Sequence, residues 1–347
     1  MSELVERARA LADDVLFPAA AEVDAKGEVP RAHFDRLAAD GFYGLAAPAE
    51  AGGAGAEFPE LIAVLETLAG GCLSTMFTWI QHHGLVVGLL SSSNEALRDR
   101  YLASLIRGDL RAGVAYAGVI PTPPRMRATR VDGGYMFEGE APFVSGWGGI
   151  DVLQLSGRDG DAVVSAVIRP VAGPNLAVRR LELVAAQGTA TVGLTVDGLY
   201  VPRENVFAEV AYADFVAGNT FASRLNGCAP LGIAERAARL IEDAGKPETA
   251  ASLRAEQTKI RAALDVGLAD PGALPQARAR AAELAFRSAG ALVAAVGSGA
   301  VLAGQHAQRL VREATFLLVA GSRPVIKSAL LEKFEIHPSE NGLAERR

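Results

Sequence analysis

The chain of 347 residues has little cysteine, no clustered positive charge and no long apolar run. Its two cysteines, Cys72 and Cys228, lie in apolar, Gly/Ala-rich contexts, so neither a disulfide framework nor a metal site is expected. The formal net charge is −6 and no short segment is rich in Lys or Arg, which argues against nucleic-acid and anionic-membrane partners. The longest apolar run, GLVVGLL before Ser91, is too short to span a bilayer.

The N-terminal segment lacks the sequence pattern of a signal peptide. It carries acidic residues within its first six positions and has no basic segment followed by an apolar run, so no signal peptide is predicted. We therefore expect a cytoplasmic protein. Hydrophobic residues make up 50% of the chain and charged residues 21%, which predicts a globular protein with a substantial core.

Helical spacing dominates the first 110 residues. Leu4, Ala8 and Leu11 recur at intervals of three and four, which predicts an amphipathic helix ending near Pro18. The segment VPRAHFDRLAADG has Pro30 near its start and Gly41 beyond its end, the arrangement typical of a second helix. We predict an N-terminal helical domain over residues 1–110.

The period changes to two in the middle of the chain. TVGLTVDGLYVP alternates with Val192, Leu194 and Val196 directed inward, and DAVVSAVIRP is typical of a strand buried on both faces. From about residue 211 helical spacing returns, interrupted by AGKPE at 244–248 and DPGALP at 270–275. These patterns predict an α+β fold, with a β-domain over 111–209 and a C-terminal helical domain over 210–347.

The order of these regions and four local strings resemble the acyl-CoA dehydrogenase family. The strings are FPAAAEVDAKGEVPRAHFDRLAADGFYGLAAPAEAGGAG at 17–55, FVSGWGGID at 143–151, DGLYVPRENVF at 197–207 and RLVRE at 309–313. The resemblance implies a helical domain, a β-domain and a C-terminal four-helix bundle. It also implies FAD shared between subunits of a homo- or hetero-oligomer, dimer or tetramer, and an acyl-CoA or related small-molecule substrate.

The expected catalytic base is absent. Family members remove the α-proton of an acyl thioester with a Glu, because so weak a carbon acid needs a positioned base. Counted from Arg312, that position is Gly321, followed by Ser322 and Arg323, and no Asp or Glu occurs from Ala314 to Leu331. A subgroup carries its base before an Arg matched here by Arg224, where this chain has Ser223. An Arg after Gly321 favours contact with an anion over proton abstraction.

The resemblance also assigns cofactor contacts. Val119 can offer its backbone N–H to the flavin, and Val144 stands between Phe143, which offers a ring face, and Ser145, which offers a hydroxyl. The alternative for Phe143 is an ordinary inward aromatic of a strand. Gly297 and Gly299 stand where the family brings backbone to the dinucleotide, with a plain turn between helices as the alternative.

Other polar residues have ordinary explanations. His82 and His83 are expected at a helix end, in capping and packing roles. His306 is expected at the surface. Arg309 and Arg312 are expected on a solvated or ion-paired face with Glu313.

Three functions remain open. The first is a flavoprotein oxidoreductase acting on the CH–CH group of an acyl thioester, with an atypical or partner-supplied base. The second is a flavin-dependent monooxygenase of the same superfamily, whose catalytic histidines would be matched by His82 or His83. The third is a non-catalytic subunit of a hetero-oligomeric acyl-CoA dehydrogenase.

Overall fold

The computed structural model describes residues 2–321 and 323–335. Its first part is helical, as predicted. Asn94 caps one of these helices by accepting a hydrogen bond from the Leu97 N–H, and Gly108 ends it in the left-handed conformation. The helices are α1 Glu3–Leu11, α2 Phe17–Lys26, α3 Arg31–Ala39, α4 Phe58–Gly71, α5 Leu73–Ile80, α6 His82–Leu90 and α7 Glu95–Arg107.

The first helix does not end near Pro18. A π-helical turn, Ala12–Leu16, joins α1 to α2, and the helix continues to Lys26, where Gly27 at φ 66° closes it. Pro18 lies in the first turn of α2, where its missing N–H matters least, and the wider turn before it lets the chain remain helical.

The middle part is one sheet of eight strands. Seven follow the order β6-β7-β3-β2-β4-β5-β8, while β1 pairs in parallel with β4. The predicted alternation of Val192, Leu194 and Val196 is confirmed, since all three are buried. The strands are β1 Ala112–Ala115, β2 Met126–Val131, β3 Gly134–Val144, β4 Val152–Asp159, β5 Ala162–Ile168, β6 Leu176–Arg180, β7 Val192–Pro202 and β8 Val206–Ala211.

The last part is helical again, and the interruptions predicted at 244–248 and 270–275 are confirmed. Helices α9 to α12 pack against one another as a four-helix bundle. The helices are α8 Tyr212–Asn226, α9 Cys228–Asp243, α10 Pro247–Ala269, α11 Leu274–Val296, α12 His306–Val319 and α13 Pro324–Phe334.

The two helical regions share one hydrophobic core, in which Leu11 and Leu65 join Ile233 and Leu310. The sheet has a core of its own around Phe137, Leu155 and Leu194. Separate strand and helix blocks produce this layering, so the predicted α+β fold class is confirmed.

Among the described helices, the segment Leu274–Val301 is long and apolar enough to cross a membrane. It consists of α11 and the 3-10 turn that follows, and α11 packs against α9, α10, α12 and α13. Length and composition alone do not separate the long helix of a packed bundle from a membrane span.

Candidate active site

The end of β3 holds a strained and exposed aromatic residue. Phe143 has φ 57°, and its side chain is 68% exposed. A shift in the β3–β7 register between Ala141 and Val144 marks a bulge at this point. A bulky residue in this conformation costs about 1–3 kcal/mol. The bulge turns the ring out of the sheet, so the alternative of an inward strand aromatic is wrong, whereas Val144 beside it is buried.

Ser145 begins a chain of buried hydroxyl groups. Its Oγ lies 2.9 Å from Thr191 Oγ1, which lies 2.7 Å from Thr189 Oγ1, and Thr189 donates to the Ala186 carbonyl at 2.8 Å. Because each hydroxyl has one hydrogen and the carbonyl only accepts, the donors run from Ser145 through Thr191 to Thr189. Ser145 therefore presents lone pairs to a ligand, which makes it an acceptor.

The turn that carries Thr189 is strained as well. Ala186 and Ala190 have φ 53° and 47°, and with Phe143 they are the non-glycine residues of positive φ in the described chain. Gln187 reaches Gly27 at the end of α2, and Gly188 fits against Ser74 of α5. Contacts with the N-terminal helices thus hold this turn in place. We call Phe143, Ser145, Thr189 and Thr191 the sheet wall.

Val119 lies beside the sheet wall in the 3-10 turn Ala117–Val119. The turn rests on β3, because a Cβ at Gly118 would lie 2.3 Å from the Glu140 carbonyl oxygen. The Val119 side chain is buried, and its N–H donates to the Tyr116 carbonyl at 3.0 Å. In this conformation that N–H already has a partner, and its role toward a flavin stays a prediction.

A second group of candidate residues lies on α8 and on the turn between α12 and α13. Gly321 in this turn has φ 63°, and a Cβ there would lie 3.1 Å from Asn226 Nδ2 at the end of α8. Ser223 is half-buried one turn earlier on α8. Ser322 lies outside the described residues. We call Tyr212, Asn226, Gly321 and Arg323 the helix wall.

Arg323 is half-buried and directly precedes α13. Burial raises the Tyr116 pKa and the Arg323 charge opposes that rise, while burial lowers the Arg323 pKa. The Tyr212 hydroxyl donates to the Ile120 carbonyl at 2.8 Å, and the guanidinium of Arg158 lies 3.7 Å from the Tyr212 ring centre. These contacts join the helix wall to the turn that carries Val119.

Two buried arginines lie beneath the helix wall. Arg278 donates to the carbonyls of Leu317 and Ala320 at the end of α12, and burial lowers its pKa to about 10. Its Nε and Nη1 have no partner in the described structure. Arg224 donates to Asp265 at 2.7 Å, and its Nη1 lies 3.6 Å from Cys228 Sγ. Arg278 therefore caps the helix that leads to Gly321.

The carboxylates near this cluster are already bound. Asp265 is held by Arg224, and Glu66 accepts from Arg261 at 2.6 Å. Burial raises the pKa of Glu66, and Arg261 opposes that rise. Neither Gly321 nor Ser223 can accept a proton at neutral pH. The described helix wall thus supplies no carboxylate base.

The two adjacent histidines differ in their bonding. They lie at the start of α6, so the predicted position at the C-terminal end of a helix is wrong. His82 is fully bonded: Nε2 lies 3.1 Å from the Leu105 carbonyl and Nδ1 accepts from the Ala112 N–H. His83 is buried beside Trp79, and both ring nitrogens have no partner in the described structure. Burial lowers its pKa to about 3, so the ring is neutral.

The remaining candidate residues belong to neither the sheet wall nor the helix wall. Gly297 and Gly299 belong to a turn after α11 at the protein surface, and no atom lies within 4 Å of a Cβ built at Gly297. Their cofactor role stays a prediction. Arg309 pairs with Glu313 at 2.6 Å and Arg312 pairs with Asp24, so the ion-paired reading is confirmed, although the Arg309 pair is buried rather than solvated. His306 is half-buried and stacks on Phe17.

The sequence analysis missed Thr189, Thr191, Tyr116 and Tyr212. The two threonines flank Ala190 on a short turn, a pattern common in ordinary strands, and only the β3–β7 pairing brings them to Ser145. The tyrosines come from separate elements, and no spacing along the chain links them to Arg323.

A helical domain, a mixed sheet and a helical bundle define a protein with the acyl-CoA dehydrogenase architecture. A glutaryl-coenzyme A dehydrogenase in complex with glutaryl-CoA superposes with a TM-score of 0.85 at 17% identity, covering 96% of this chain and 95% of that chain. The enzyme of Mycobacterium smegmatis in complex with FADH2 gives 0.83 at 14% identity, covering 99% and 95%.

Sequence comparison also finds similarity to acyl-CoA dehydrogenases. The model of the acyl-CoA dehydrogenase N-terminal domain matches residues 1–109. The 3-sulfinopropanoyl-CoA desulfinase of Cupriavidus necator is 30% identical over 44% of this chain and 40% of its own length. For the benzylmalonyl-CoA dehydrogenase of Aromatoleum aromaticum the values are 27%, 55% and 52%. For the oxygenase component of the FADH(2)-dependent resorcinol hydroxylase of a Rhizobium species they are 26%, 62% and 51%.

The N-terminal part of the chain thus matches the acyl-CoA dehydrogenase N-terminal domain, and the chain has the fold of the acyl-CoA dehydrogenases. The matched regions span about half the length of these curated relatives. By their names, those relatives carry out a desulfination, a dehydrogenation and a hydroxylation. The fold therefore hosts more than one chemistry, and the reaction of this chain has to be argued from its site.

Proposed function

We propose that this chain is an FAD-binding, acyl-CoA dehydrogenase-like oxidoreductase that acts on an acyl thioester without a carboxylate of its own at position 321. The observation that carries the proposal is the sheet wall. Phe143 is held exposed in a strained conformation, next to a Ser145 hydroxyl whose acceptor direction is set by Thr191 and Thr189. Strain of this kind persists where the surrounding structure enforces it, commonly at ligand sites.

The residues present fit a flavin. The exposed Phe143 ring offers an apolar face for a planar ring system, and Ser145 offers an acceptor for an N–H group. Gly146 and Gly148 have φ 85° and 87°, and no atom lies within 4 Å of a Cβ at Gly148, so the backbone beyond Ser145 is open. FAD, when bound, would supply a two-electron acceptor for the hydride of the β-carbon.

The chain's own residues would bind, orient and exclude water. Ser145 would fix the orientation of the bound ring by accepting one hydrogen bond. Tyr116, Tyr212 and Arg323 would close the site on the opposite side. The group that receives the α-proton in ordinary dehydrogenation would have to come from outside the helix wall, because Asp265 and Glu66 are already paired with arginines.

The test is flavin binding by the purified chain. FAD binds near one per chain in the expected outcome, and Phe143→Ala and Ser145→Ala each weaken it by about 10-fold or more, since each loses a stacking contact or a hydrogen bond. Val184→Ala, at a side chain 86% exposed, is the matched control and leaves affinity unchanged. A chain that binds no FAD, alone or with a family partner, would contradict the proposal and favour a non-catalytic subunit.

A second candidate is a flavin-dependent monooxygenase, favoured by His83. Its two nitrogens have no partner among the described residues, and neither does the nearby Gln154 Oε1, which lies 3.6 Å from a Cβ built at Gly84. A neutral imidazole and an amide oxygen suit a hydroxylated ring as substrate. Reduced flavin, oxygen and resorcinol provide the assay. Hydroxylated product that disappears in His83→Leu would support this function, whereas none at any flavin concentration would exclude it.

Assembly is part of the first proposal. Several apolar side chains on the last helices are exposed, which suits contact with a second copy or a paralogous chain. They are Val296, Val301, Leu302, Val319, Val325, Leu331 and Phe334. Sedimentation of the purified chain with and without FAD would measure the oligomer.

A further inference from the structure

Arg278 is a buried cation that no carboxylate of the described ranges neutralises. Its side chain, on α11, is 2% exposed and forms no ion pair with a described residue. Two other arginines are buried as deeply, and each has an acid. Arg224 pairs with Asp265 at 2.7 Å, and Arg309 pairs with Glu313 at 2.6 Å. Arg278 is therefore the exception among the three fully buried arginines of the described chain.

The hydrogen bonds of Arg278 use one of its three nitrogens. Nη2 donates to the carbonyls of Leu317 at 3.4 Å and Ala320 at 3.2 Å. Nε and Nη1 are shielded from solvent and have no partner within residues 2–321 and 323–335. Burial lowers the pKa only to about 10, so the guanidinium stays charged at neutral pH. A buried charge with two free donor nitrogens is costly unless an anion accepts from them.

The turn that Arg278 contacts leads to the surface. Ala320 accepts from Arg278, and the next residue, Gly321, is exposed and has no side chain. Asn226, at the end of α8, lies against the same turn, since a Cβ built at Gly321 would lie 3.1 Å from Asn226 Nδ2. The guanidinium of Arg278 and the amide of Asn226 thus contact successive residues of the turn, on the side where a small ion could enter.

We propose that Arg278 binds a small monovalent anion of about the size of chloride, through Nε and Nη1, beneath the turn between α12 and α13. One such ion neutralises one arginine. The enclosure of the side chain excludes a bulky organic anion, and a divalent phosphate or sulfate would bring an uncompensated negative charge into the interior. The inference does not depend on flavin binding, so it stands or falls separately from the proposed function.

Thermal unfolding of the full chain tests the site. Sodium chloride replaces sodium gluconate stepwise at constant ionic strength, because gluconate is monovalent but too large for an enclosed site. We expect the unfolding temperature to rise and then saturate. At a hundredfold excess over the dissociation constant the rise should be about 4 °C for a chain of this size. A change that stays linear in chloride would be a general salt effect and would contradict the proposal.

Variants assign the rise to the arginine. Arg278→Met removes the charge and should abolish the dependence on chloride, whereas Arg278→Lys should keep a smaller rise because an ammonium retains the charge without the fork of donors. Arg280→Met is the matched control, since Arg280 lies on the same helix and pairs with Glu256 at 2.7 Å. It should keep the full rise. Equal chloride dependence of Arg278→Met and the parent chain would show that the ion binds elsewhere.

A crystallographic measurement covers the case in which Arg278→Met does not fold. Crystals of the parent chain grown with sodium bromide should give an anomalous peak within hydrogen-bond distance of Arg278 Nε or Nη1. Water alone at these nitrogens, or bromide only at other arginines, would overturn the assignment.

Discussion

The sheet wall and the helix wall of the candidate site satisfy their polar groups in different ways. In the sheet wall each hydroxyl passes its hydrogen to the next, and the chain ends on the Ala186 carbonyl. In the helix wall Arg323 forms no ion pair with a described residue, and two nitrogens of the buried Arg278, Nε and Nη1, have no partner in the described part of the chain. One wall is internally complete and the other has an excess of positive charge.

The difference indicates what each wall is for. A complete, strained wall holds one geometry whether or not a ligand is present, which suits a permanently bound cofactor. A wall with unpaired cations changes in energy when an anion arrives, which suits a substrate that enters and leaves. The variants below test this contrast.

The largest expected effect is on the buried ion pair of α12, the helix that precedes Gly321. Glu313→Gln should leave Arg309 as an unpaired charge in the core beside Phe17 of α2, and lower the free energy of unfolding by about 3–5 kcal/mol. Urea titration measures it. Glu283→Gln breaks a partly exposed pair with Arg287 and should cost less than about 1 kcal/mol. Equal losses would show that burial of the Arg309 pair does not matter.

Thr191→Val should break the sheet wall. It removes the middle hydroxyl of the chain, and the buried Ser145 loses its partner at a cost of about 1–3 kcal/mol in the free energy of unfolding. Thr195→Val, at an exposed position on β7, the strand that begins directly after Thr191, should change it by less than about 0.5 kcal/mol. If both variants unfold at the same urea concentration, the hydroxyl chain does not hold the wall.

We expect the free energy of unfolding to fall in acid because of His83, which is buried at the start of α6. Its folded pKa of about 3 lies below the ordinary value of 6.5, so the unfolded chain binds the proton first. The stabilisation is full above pH 6.5 and is lost as the pH falls toward 3. Between pH 7.5 and 5, His83 should account for about 2 kcal/mol of the loss. His83→Leu should flatten this slope in urea titrations, and an unchanged slope would assign it to the other histidines.

Gly321→Glu tests whether the missing base is the difference between this chain and ordinary family members. The left-handed backbone and the tight contact with Asn226 should cost about 1–2 kcal/mol. Gly321→Gln has the same strain and no base, so it is the matched control. We expect the Glu variant alone to let butyryl-CoA bleach the bound flavin. Identical behaviour of both variants would mean that position 321 does not face the reacting carbon.

The smallest expected effect is an increase in the free energy of unfolding. Phe143→Gly should relieve the strained backbone and raise the free energy of unfolding by about 1 kcal/mol while weakening FAD binding. Val171→Gly, an exposed residue without positive φ, should instead lower it by up to about 1 kcal/mol. A destabilised Phe143→Gly variant would show that the ring contributes to packing.

Much of the fold was predictable because it follows from local patterns. Val192, Leu194 and Val196 alternate as the buried face of β7 requires, and the prolines and glycines at 244–248 and 270–275 end helices where predicted. The error at Pro18 has a local cause that periodicity does not report, since a π-helical turn let the helix continue through the proline.

The site was only partly predictable. Phe143 and Ser145 were proposed from resemblance to a family string and stay predictions as cofactor contacts, and the exposure of Phe143 depends on a bulge that involves β7. The histidines were placed at the wrong end of a helix, and nothing in the sequence distinguishes the fully bonded His82 from the unpartnered His83. Which hydrogen-bond partner a histidine nitrogen has depends on contacts between segments that are distant in the sequence.

The sequence by itself determined the order of helices, sheet and helices, the family resemblance, and the absence of Asp and Glu between Ala314 and Leu331. These features are written in composition and local spacing, which act over a few residues. Only the tertiary structure decided that Ser145 is an acceptor, that Asp265 and Glu66 are paired with arginines, and that Arg323 forms no ion pair within residues 2–321 and 323–335. Each of these three properties depends on which groups from distant parts of the sequence form a hydrogen bond or an ion pair with the residue. Only folding brings those groups together.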